Sequence, residues 1–447
     1  MEIAGRKILI IGLGMTGLAT AKFLALRGAS VVATDEKPSE ELERLLGIHN
    51  LSAAVKIAGY DASCLSGIDL IVPSPGVPPF NSIIMEALKR KVSIMSEIEL
   101  AYNFLRCPMI AITGTNGKTT TTTLIGNILK KAGKKVFVGG NIGEPLVGFT
   151  DGTQDADYAV VEVSSFQLQW IEHFCPSVAV LLNITCDHVN YHGSFTAYRY
   201  AKERIFENQT PFHLAVINAD DPFSKSLANR IAARIGYFSS GSLLEKGIFK
   251  TEGKIVHIPD SGQREIYPLD MVKIPGRHNL ENVMAAITAA RECGASTRDV
   301  IAAVADFKGL PHRIEFAGEK KGVAFYNDSK GTNVDAVARA LESFSQPVVL
   351  LMGGRDKDGD FETLTSLLGE RVKELILFGE AKDRIDCAIG GIVKTSRLAT
   401  LGEAIMAAYD RSSAGEIVLL SPGCASFDEF SDYKARGDFF KKTVGEL

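Results

Sequence analysis

The stretch "ILIIGLGMTGLA", residues 8–19, joins a run of aliphatic residues to a pattern of closely spaced glycines at residues 12–17. Glycines at this spacing permit a tight turn between a strand and a helix, so that a diphosphate binds at the helix N-terminus. Asp35 ends the next apolar run, at the place where an acidic residue meets a ribose in dinucleotide-binding domains. The stretch therefore predicts a Rossmann-like domain that binds a nucleotide.

The residues alone leave the ligand of this loop open, because NAD and other nucleotide diphosphates fit the same turn, and the turn also occurs without a ligand. Two features fit NAD poorly. Lys37 is a cation suited to phosphate, and "PSPGVP", residues 73–78, ends the predicted third strand in a rigid loop. The domain also ends near residue 95, which is short for two βαβαβ halves. These features favour a mononucleotide diphosphate.

A second glycine-rich stretch, "AITGTNGKTTTT", covers residues 111–122 and is a compact variant of a phosphate-binding loop. Gly114 and Gly117 allow backbone N–H groups to approach a phosphate, and Lys118 supplies a positive charge. The hydroxyl of Thr119 is a ligand that suits Mg²⁺. A strand, a glycine-rich loop, a Lys-Thr-Thr run and a helix coincide here, which predicts a nucleoside triphosphate site.

Three further residues lie where strands end or helices begin, and each has a structural alternative. Glu162, in "VVEVSS", is within reach of a phosphate-bound Mg²⁺ or is a solvated glutamate. His188 follows another strand and is a metal ligand or a hydrogen-bonded structural residue. Lys202 lies on the next predicted helix, and its spacing alone indicates a surface lysine beside Glu203.

Length and composition restrict the class of protein. The 447 residues predict three domains, and 46% hydrophobic with 23% charged residues is ordinary for a globular protein. A net charge of −4 argues against a nucleic-acid binder. The seven cysteines never form a CxxC pair and indicate free thiols in a reducing compartment. No signal peptide and no run of about 18 apolar residues is found, so we expect a cytoplasmic protein without membrane insertion.

Short apolar strands alternate with helical patterns along the whole chain, which predicts an α/β fold with parallel sheets. We place three domains: a Rossmann-like domain at residues 1–95, a central P-loop ATPase-type domain at 96–309, and a C-terminal Rossmann-like domain at 310–447. Residues 240–272 alternate as antiparallel strands do and predict a small antiparallel patch on the central domain.

The chain resembles the Mur ligases, the ATP-dependent amino-acid-adding enzymes of peptidoglycan synthesis. The motifs occur in the order and spacing of that family: "GTNGKTT", "EVSSFQL", "NITCDH", "YRYAKERI", "GRHNLENVMAA", "LPHRIEF", "NDSKGTN", "GGRDK" and "LLSPGCASFDEF". The resemblance covers essentially the whole chain.

The resemblance implies an ATP-dependent ligase of cytoplasmic peptidoglycan precursor synthesis. It would add D-glutamate to UDP-N-acetylmuramoyl-L-alanine through an acyl phosphate, release ADP and phosphate, and act as a monomer with two Mg²⁺ ions. The nearest alternatives are a sister ligase that adds another amino acid or a dipeptide, and a folylpolyglutamate synthase, which lacks a UDP-binding first domain. An NAD-dependent dehydrogenase joined to an ATPase and a noncatalytic regulator are alternatives from other classes.

The resemblance also implies roles for individual residues. The UDP substrate would be bound by Gly14, Met15, Thr16, Asp35, Lys37, Gly76 and Asn141. ATP would be bound by Gly114, Thr115, Asn116, Gly117, Lys118, Thr119, Thr120, Asn279, Asn282, Arg313 and Asp328. D-Glutamate would be bound by Lys330, Thr332, Lys357, Ser426 and Phe427, with Tyr433 nearby. Mg²⁺ would be held by Thr119, Glu162, His188 and a Lys202 carbamylated by CO₂, and the catalytic residues would be Lys118, His188 and Lys202.

Overall fold

Three β-sheets, covered by helices, organise the chain, and the computed structural model describes all residues 1–447. The sheets are mostly parallel, which confirms the predicted α/β class. The chain forms two compact units: one contains Met1–Leu269 and Glu281–Val304, and the other contains Asp270–Leu280 and Ala305–Leu447. None of the helices combines the length and the apolar character that crossing a membrane requires.

The first sheet has five parallel strands in the order β3-β2-β1-β4-β5. Its strands are β1 (Lys7–Ile11), β2 (Ser30–Thr34), β3 (Val55–Ile57), β4 (Leu70–Pro73) and β5 (Ser93–Ile94), and its helices are α1 (Met15–Leu26), α2 (Ser39–Ile48) and α3 (Ser82–Lys89). Leu9 in the central strand lies beside Val32 and Ile71. The strand order reverses between β1 and β4, so the loops after these two strands form a crevice where ligands bind in such sheets.

One strand number was wrong. The strand that ends in "PSPGVP" is the fourth and not the third, because the short strand β3 precedes it along the chain. Strand β3 has three residues and lies at the edge of the sheet beside β2 only. An edge strand of this length carries too few apolar residues for a recognisable pattern.

The second sheet has nine strands in the order β14-β13-β12-β11-β10-β9-β6-β8-β7. Its strands are β6 (Met109–Thr113), β7 (Val136–Gly140), β8 (Tyr158–Glu162), β9 (Val178–Leu181), β10 (Leu214–Asn218), β11 (Arg234–Ser239), β12 (Gly247–Thr251), β13 (Lys254–Ile258) and β14 (Glu265–Pro268). Its α-helices are α4 (Glu97–Tyr102), α5 (Lys118–Lys131), α6 (Leu146–Asp151), α7 (Ser165–Leu168), α8 (Val189–His192), α9 (Phe195–Glu203), α10 (Pro222–Leu227), α11 (Arg277–Glu292) and α12 (Thr297–Asp306). Strand β13 is antiparallel to both β12 and β14, which confirms the predicted patch. Strand β12 also pairs with β11, so the patch extends the edge of the main sheet.

The third sheet has six strands in the order β15-β16-β20-β17-β18-β19, and only β15 is antiparallel to its neighbour. Its strands are β15 (Glu315–Lys320), β16 (Val323–Asn327), β17 (Val348–Gly353), β18 (Val372–Phe378), β19 (Lys394–Arg397) and β20 (Ile417–Gly423). Its α-helices are α13 (Val334–Glu342), α14 (Thr365–Arg371), α15 (Lys382–Ile389), α16 (Leu401–Arg411) and α17 (Tyr433–Glu446). Short 3-10 helices cover Ala62–Leu65, Arg204–Phe206, Ala228–Arg230, Leu269–Met271 and Phe361–Leu364.

The first and second sheets share one apolar core, which includes Phe23 of α1 and Ile98 of α4. At its border, the Arg27 guanidinium lies 3.6 Å from the centre of the Phe23 ring and donates a hydrogen bond of 2.7 Å to Asp151. The third sheet has separate apolar clusters on its two faces. Each sheet therefore presents the carboxyl ends of its parallel strands on a rigid support.

Candidate active site

The phosphate-binding loop follows β6 and requires glycine at two positions. Gly117 caps α5 with a left-handed φ of 86°, and a Cβ at this position would overlap the side-chain oxygen of Asn282. Gly114 has a φ of 154°, and a Cβ there would lie 3.1 Å from the Leu182 side chain. Helix α5 begins after Gly117 without a side-chain cap, so its N-terminus suits an anion.

Two predicted nucleotide ligands, Thr115 and Asn116, are held by the segment that follows β9. The Thr115 N–H donates to the Asn183 carbonyl, and the Asn116 N–H donates to Asn183 Oδ1, both at 3.0 Å. The Thr115 hydroxyl lies 2.9 Å from the Tyr198 hydroxyl. These bonds fix the loop before any ligand binds. Sequence reasoning missed Asn183 and Tyr198, although both lie within motifs that it quoted.

Two lysines meet at one backbone oxygen of the loop. Lys118 Nζ donates to the Gly114 carbonyl at 2.9 Å, and Lys202 Nζ donates to the same oxygen at 2.8 Å. Lys202 is 2% exposed, so its interpretation as a surface lysine is wrong. Burial, and then the charge of Lys118, hold the pKa of Lys202 well below its usual range, which favours the neutral amine.

Glu162 ends β8 beside the loop and is 2% exposed, so the solvated alternative is wrong. Its Oε1 accepts a hydrogen bond of 2.9 Å from the side chain of Asn141, which follows β7. Its Oε2 is buried and has no hydrogen-bond partner. A buried carboxylate oxygen without a partner is costly unless a ligand satisfies it.

His188 lies in the loop after β9 with a left-handed φ of 51°, and its N–H donates to Asp187 Oδ1 at 2.8 Å. Its ring centre is 4.8 Å from that of Phe166. The neighbouring His192 has its Nε2 3.0 Å from the Ser165 hydroxyl. Burial, then the charges of Lys202 and His188, lower the pKa of His192 to about 4. No three His, Cys, Asp or Glu side chains form a metal-binding group, so any cation here needs other ligands as well.

The loop after β1 is held by residues that follow its two neighbouring strands, β2 and β4. Asp35 Oδ2 accepts from the Leu13 N–H at 2.7 Å, and the Ser74 hydroxyl donates to the Gly12 carbonyl at 2.7 Å. A Cβ on Gly17 would overlap the Gly12 carbonyl oxygen. Helix α1 begins after Gly14 without a side-chain cap, so its N-terminus suits a diphosphate.

Four further residues that were predicted to bind the UDP substrate lie in the first turn of α1 or in the loops after β2 and β4. Met15 is 71% exposed at the first turn of α1, and the backbone carbonyl of Thr16 accepts from Thr20 at 2.8 Å. Lys37 is exposed and its ammonium lies 2.8 Å from the Glu41 carboxylate. Gly76 is exposed on the loop after β4, and no atom lies within 4 Å of a Cβ placed there.

In the third sheet, buried Asp328 follows β16. It accepts from the Ser421 hydroxyl at 2.8 Å and from the Ile314 N–H at 3.3 Å. Burial raises the pKa of Asp328 to about 7, although Ser421 and then Arg313 act in the opposite direction. Lys330 comes two residues later, and its Nζ lies 4.3 Å from the centre of the Tyr433 ring.

A buried arginine that sequence reasoning missed joins the loops of the third sheet. Arg436 is fully buried; its Nε donates to the Ser329 hydroxyl at 2.9 Å and its Nη2 to the Cys424 carbonyl at 3.1 Å. Arg436 was missed because an arginine on an amphipathic helix is expected from sequence to face the solvent. Two backbone hydrogen bonds between Arg355 and Ala425, 2.8 and 2.9 Å long, join the loops after β17 and β20.

The predicted D-glutamate ligands all follow β16, β17 or β20, which are neighbours in the third sheet. Ser426 is 2% exposed, Phe427 is 60% exposed, and Lys357 is exposed. The Thr332 N–H donates to the Lys330 carbonyl at 2.9 Å. Lys330, Lys357 and Phe427 therefore lie in loops at the same edge of the third sheet.

The two predicted asparagines of α11 have different surroundings. Asn282 is 3% exposed and lies against Gly117 of the phosphate-binding loop. Asn279 donates from Nδ2 to the Pro275 carbonyl at 2.6 Å. Asn282 thus belongs to the described loop site, and Asn279 stabilises the start of the helix.

Family models match three consecutive parts of the chain. Residues 6–96 match the Mur ligase MurD-like N-terminal domain, residues 112–290 match the Mur ligase middle domain, and residues 312–424 match the Mur ligase glutamate ligase domain. The chain belongs to the Mur ligase family. The three matched ranges correspond to the three sheets in chain order.

Two relatives extend the match over the full length of the Mur ligase. The UDP-N-acetylmuramoylalanine–D-glutamate ligase of Syntrophus aciditrophicus (strain SB) is 56% identical over 448 residues, which cover 99% of this chain and 98% of the relative. The protein of the same name from Geotalea daltonii is 47% identical, covering 100% of this chain and 99% of the relative.

Solved Mur ligase structures share the fold. A pseudomurein peptide ligase type C from Methanothermus fervidus gives a TM-score of 0.63 at 20% identity, covering 99% of this chain and 100% of the other. A MurF ligase from Thermotoga maritima in complex with ADP gives a TM-score of 0.62 at 18% identity, covering 100% and 96%.

Proposed function

We propose that the protein is an ATP-dependent ligase that adds D-glutamate to UDP-N-acetylmuramoyl-L-alanine and releases ADP and phosphate. The observation that carries this proposal is the full-length match, at 56% identity, to a relative named for this activity. The geometry agrees with it, because a phosphate-binding loop lies beside a buried carboxylate and two lysines. The activity belongs to peptidoglycan precursor synthesis. We assign the protein to the cytoplasm and propose that it acts as a monomer.

The chemistry requires activation of a carboxylate, which is a poor electrophile for an amine. The L-alanine carboxylate attacks the γ-phosphorus of ATP, the bond to the bridging oxygen breaks, and ADP leaves. The D-glutamate amine then attacks the acyl phosphate, loses a proton, and expels inorganic phosphate. Positioning and charge stabilisation carry most of the acceleration in such transfers, and Lys118 is placed in the loop to supply charge.

The residues present fit Mg²⁺. Glu162 Oε2 is a hard, buried oxygen without a partner, and Thr119 lies in the first turn of α5. We assign the cation to these two residues, with His188 and Lys202 serving a second ion. When bound, Mg²⁺ neutralises charge on the phosphates.

A lysine becomes a cation ligand only when its charge is removed. Lys202 is buried beside Lys118, and its neutral amine adds to the carbon of CO₂ and releases one proton to give a carbamate, an oxygen ligand. The carbamate nitrogen keeps one N–H, so the bond to the Gly114 carbonyl survives the reaction. We therefore propose that Lys202 is carbamylated.

The first-sheet loop is assigned to the UDP end of the substrate. Its uncapped helix N-terminus suits the diphosphate, and Asp35 and Lys37 lie beside the loop for the uridine. Gly14, Met15, Thr16 and Gly76 line the loops after β1 and β4, and Asn141 is assigned to the muramoyl part. This division supports domains at residues 1–95, 96–309 and 310–447, each built on one sheet.

The third-sheet loops are assigned to D-glutamate. Lys330 and Lys357 match its two carboxylates in charge, and Thr332, Ser426 and Phe427 border the same loops. Arg313 and Asp328, with Asn279 and Asn282 of α11, are assigned to the nucleotide together with the loop of residues 114–120.

Phosphate release from Mg-ATP and UDP-N-acetylmuramoyl-L-alanine tests the proposal. Parallel reactions contain D-glutamate, L-glutamate, L-alanine, L-lysine or meso-diaminopimelate, and the mass of each amide product is determined. We expect release and product with D-glutamate only. Activity with another amino acid would identify a sister ligase, and no activity with any of them would contradict the proposal.

A further inference from the structure

One side-chain hydroxyl joins the proposed UDP loop to the segment that carries His188. The Tyr191 hydroxyl donates to the Val77 carbonyl at 2.8 Å. Val77 belongs to the loop after β4, on one side of the first-sheet crevice. Tyr191 lies in α8, the single-turn helix that begins directly after His188. The bond therefore links two sites that bind different substrates in the proposed reaction.

At the first-sheet end, the bond continues to the glycine loop. The Val77 N–H donates to the Ser74 carbonyl at 3.0 Å, which closes a turn. The Ser74 hydroxyl then donates to the Gly12 carbonyl at 2.7 Å. Gly12 has a φ of 89° and opens the turn that we assign to the diphosphate. Ordering of this turn by a ligand therefore restrains Ser74 and Val77.

At the second-sheet end, backbone hydrogen bonds hold His188 and Tyr191 in one turn. The N–H groups of Tyr191 and His192 both donate to the His188 carbonyl at 3.1 Å. The Phe166 ring packs against both sides of the turn, with its centre 4.1 Å from that of Tyr191 and 4.8 Å from that of His188. The position of Tyr191 thus restrains the backbone and the ring of His188.

We propose that Tyr191 is a positioning residue that couples binding at the Gly12–Gly17 loop to the placement of His188. The inference rests on the proposed function, which assigns the sugar nucleotide to that loop and His188 to the Mg-ATP site. Binding of either ligand orders one end of the connection and lowers the cost of ordering the other. Such coupling is reciprocal, so each ligand raises the affinity for the other by the same factor.

The test compares the wild-type protein with Tyr191→Phe, which removes only the hydroxyl. The dissociation constant of the β,γ-imido analogue of ATP with Mg²⁺ is measured with and without saturating UDP-N-acetylmuramoyl-L-alanine. We expect the sugar nucleotide to tighten analogue binding in the wild type. The coupling ratio is the dissociation constant without the sugar nucleotide divided by the constant with it. In Tyr191→Phe this ratio should fall by about three- to tenfold, as expected for one hydrogen bond.

Two further variants separate coupling from a general structural effect. Tyr200→Phe is the matched control, because Tyr200 lies nearby on α9 and is 62% exposed, and it should keep the wild-type ratio. Ser74→Ala removes the bond to Gly12 and should lower the ratio as Tyr191→Phe does.

The inference is wrong if the wild-type ratio is one, or if Tyr191→Phe weakens both ligands and leaves the ratio unchanged. A separate assay of wild-type product with D-glutamate distinguishes this failure from failure of the proposed function. Product without coupling overturns only the role of Tyr191. Absence of product overturns the function on which that role rests.

Discussion

Lys202 has the surroundings of a buried residue rather than of a surface lysine. Its amine is buried, shares the Gly114 carbonyl with Lys118, and lies 4.7 Å from the centre of the Tyr198 ring. Spacing along a helix indicated only a solvated lysine, because periodicity does not show which helix face meets a loop from another strand. The resemblance to a family singled the residue out, and the structure shows that its amine is buried beside Lys118.

Replacement of Lys202 by methionine removes the amine and keeps an unbranched, flexible side chain. We expect Lys202→Met to lower kcat by about 100-fold or more, since loss of a metal ligand or its support weakens the site by factors of this order. Phosphate release with D-glutamate measures the effect. Lys225→Met is the control, because Lys225 is exposed, and it should retain wild-type activity.

Carbamylation itself has a spectroscopic test. Protein equilibrated with ¹³C-labelled bicarbonate should show a carbamate carbonyl resonance that Lys202→Met lacks and Lys225→Met retains. Depletion of CO₂ should remove the resonance and lower phosphate release together. A resonance that persists in Lys202→Met would assign the modification to another amine.

At the scale of elements, helix α5 has a glycine with positive φ at each end. Gly117 at the start has a φ of 86° and faces Asn282, whereas Gly133 beyond the end has a φ of 77° and nothing within 4 Å of a Cβ. The sequence predicted the first glycine as part of a phosphate-binding loop. The approach of Asn282 was not predictable, because α11 lies more than 150 residues further along the chain.

The two glycines make a matched pair of alanine substitutions. Alanine is strained at positive φ, which should cost about 1 kcal/mol of stability in Gly133→Ala. Gly117→Ala should cost more, because its Cβ also overlaps Asn282. Only Gly117→Ala should also raise the dissociation constant of the Mg²⁺ complex of the ATP analogue, by about tenfold or more, since the new Cβ overlaps Asn282. Calorimetric titration with the analogue measures this, and equal loss of affinity in Gly133→Ala would contradict the assignment of the loop.

Strands were predictable from sequence in proportion to their burial. The runs at residues 8–12 and 348–354 are aliphatic segments that end in glycine, and they form the central strands β1 and β17. Edge strands such as β5 and β19 were missed, because they are short or partly exposed and contact one neighbour. The loops that follow central strands were recognisable from sequence for the same reason, and most of the predicted site residues lie in them.

At the scale of the whole molecule, the sequence predicted three sheets but not the shared core of the first two. Side chains from α1, α4 and α6 meet in that core, and each helix shows only an ordinary apolar face in sequence. Glu97 of α4 is buried at this junction and accepts from the Val147 N–H of α6 at 2.7 Å. Such long-range pairing has no local signal.

The same glutamate predicts a pH dependence of stability. Burial raises the pKa of Glu97 to about 7, so the folded protein binds its proton more tightly than the unfolded chain. Its contribution to stability is therefore complete below the unfolded pKa of 4.5 and is lost as pH rises through about 7. Glu97→Gln mimics the protonated carboxyl and should lack this loss.

Thermal melting between about pH 5 and about pH 8 measures the effect. The Tm of Glu97→Gln should rise relative to the wild type by several degrees across this range. Glu43→Gln is the control, because Glu43 is exposed on α2, and its difference from the wild type should not vary with pH in this way. A constant difference for Glu97→Gln would contradict the assigned protonation.

The central claim is that ATP activates the carboxylate of UDP-N-acetylmuramoyl-L-alanine for attack by D-glutamate. The most direct measurement uses substrate labelled with ¹⁸O at both carboxylate oxygens, together with Mg-ATP and D-glutamate, and determines the masses of the phosphate and the amide. The account predicts one ¹⁸O in the released phosphate and one in the new amide. Unlabelled phosphate, or release without an amide, would contradict it.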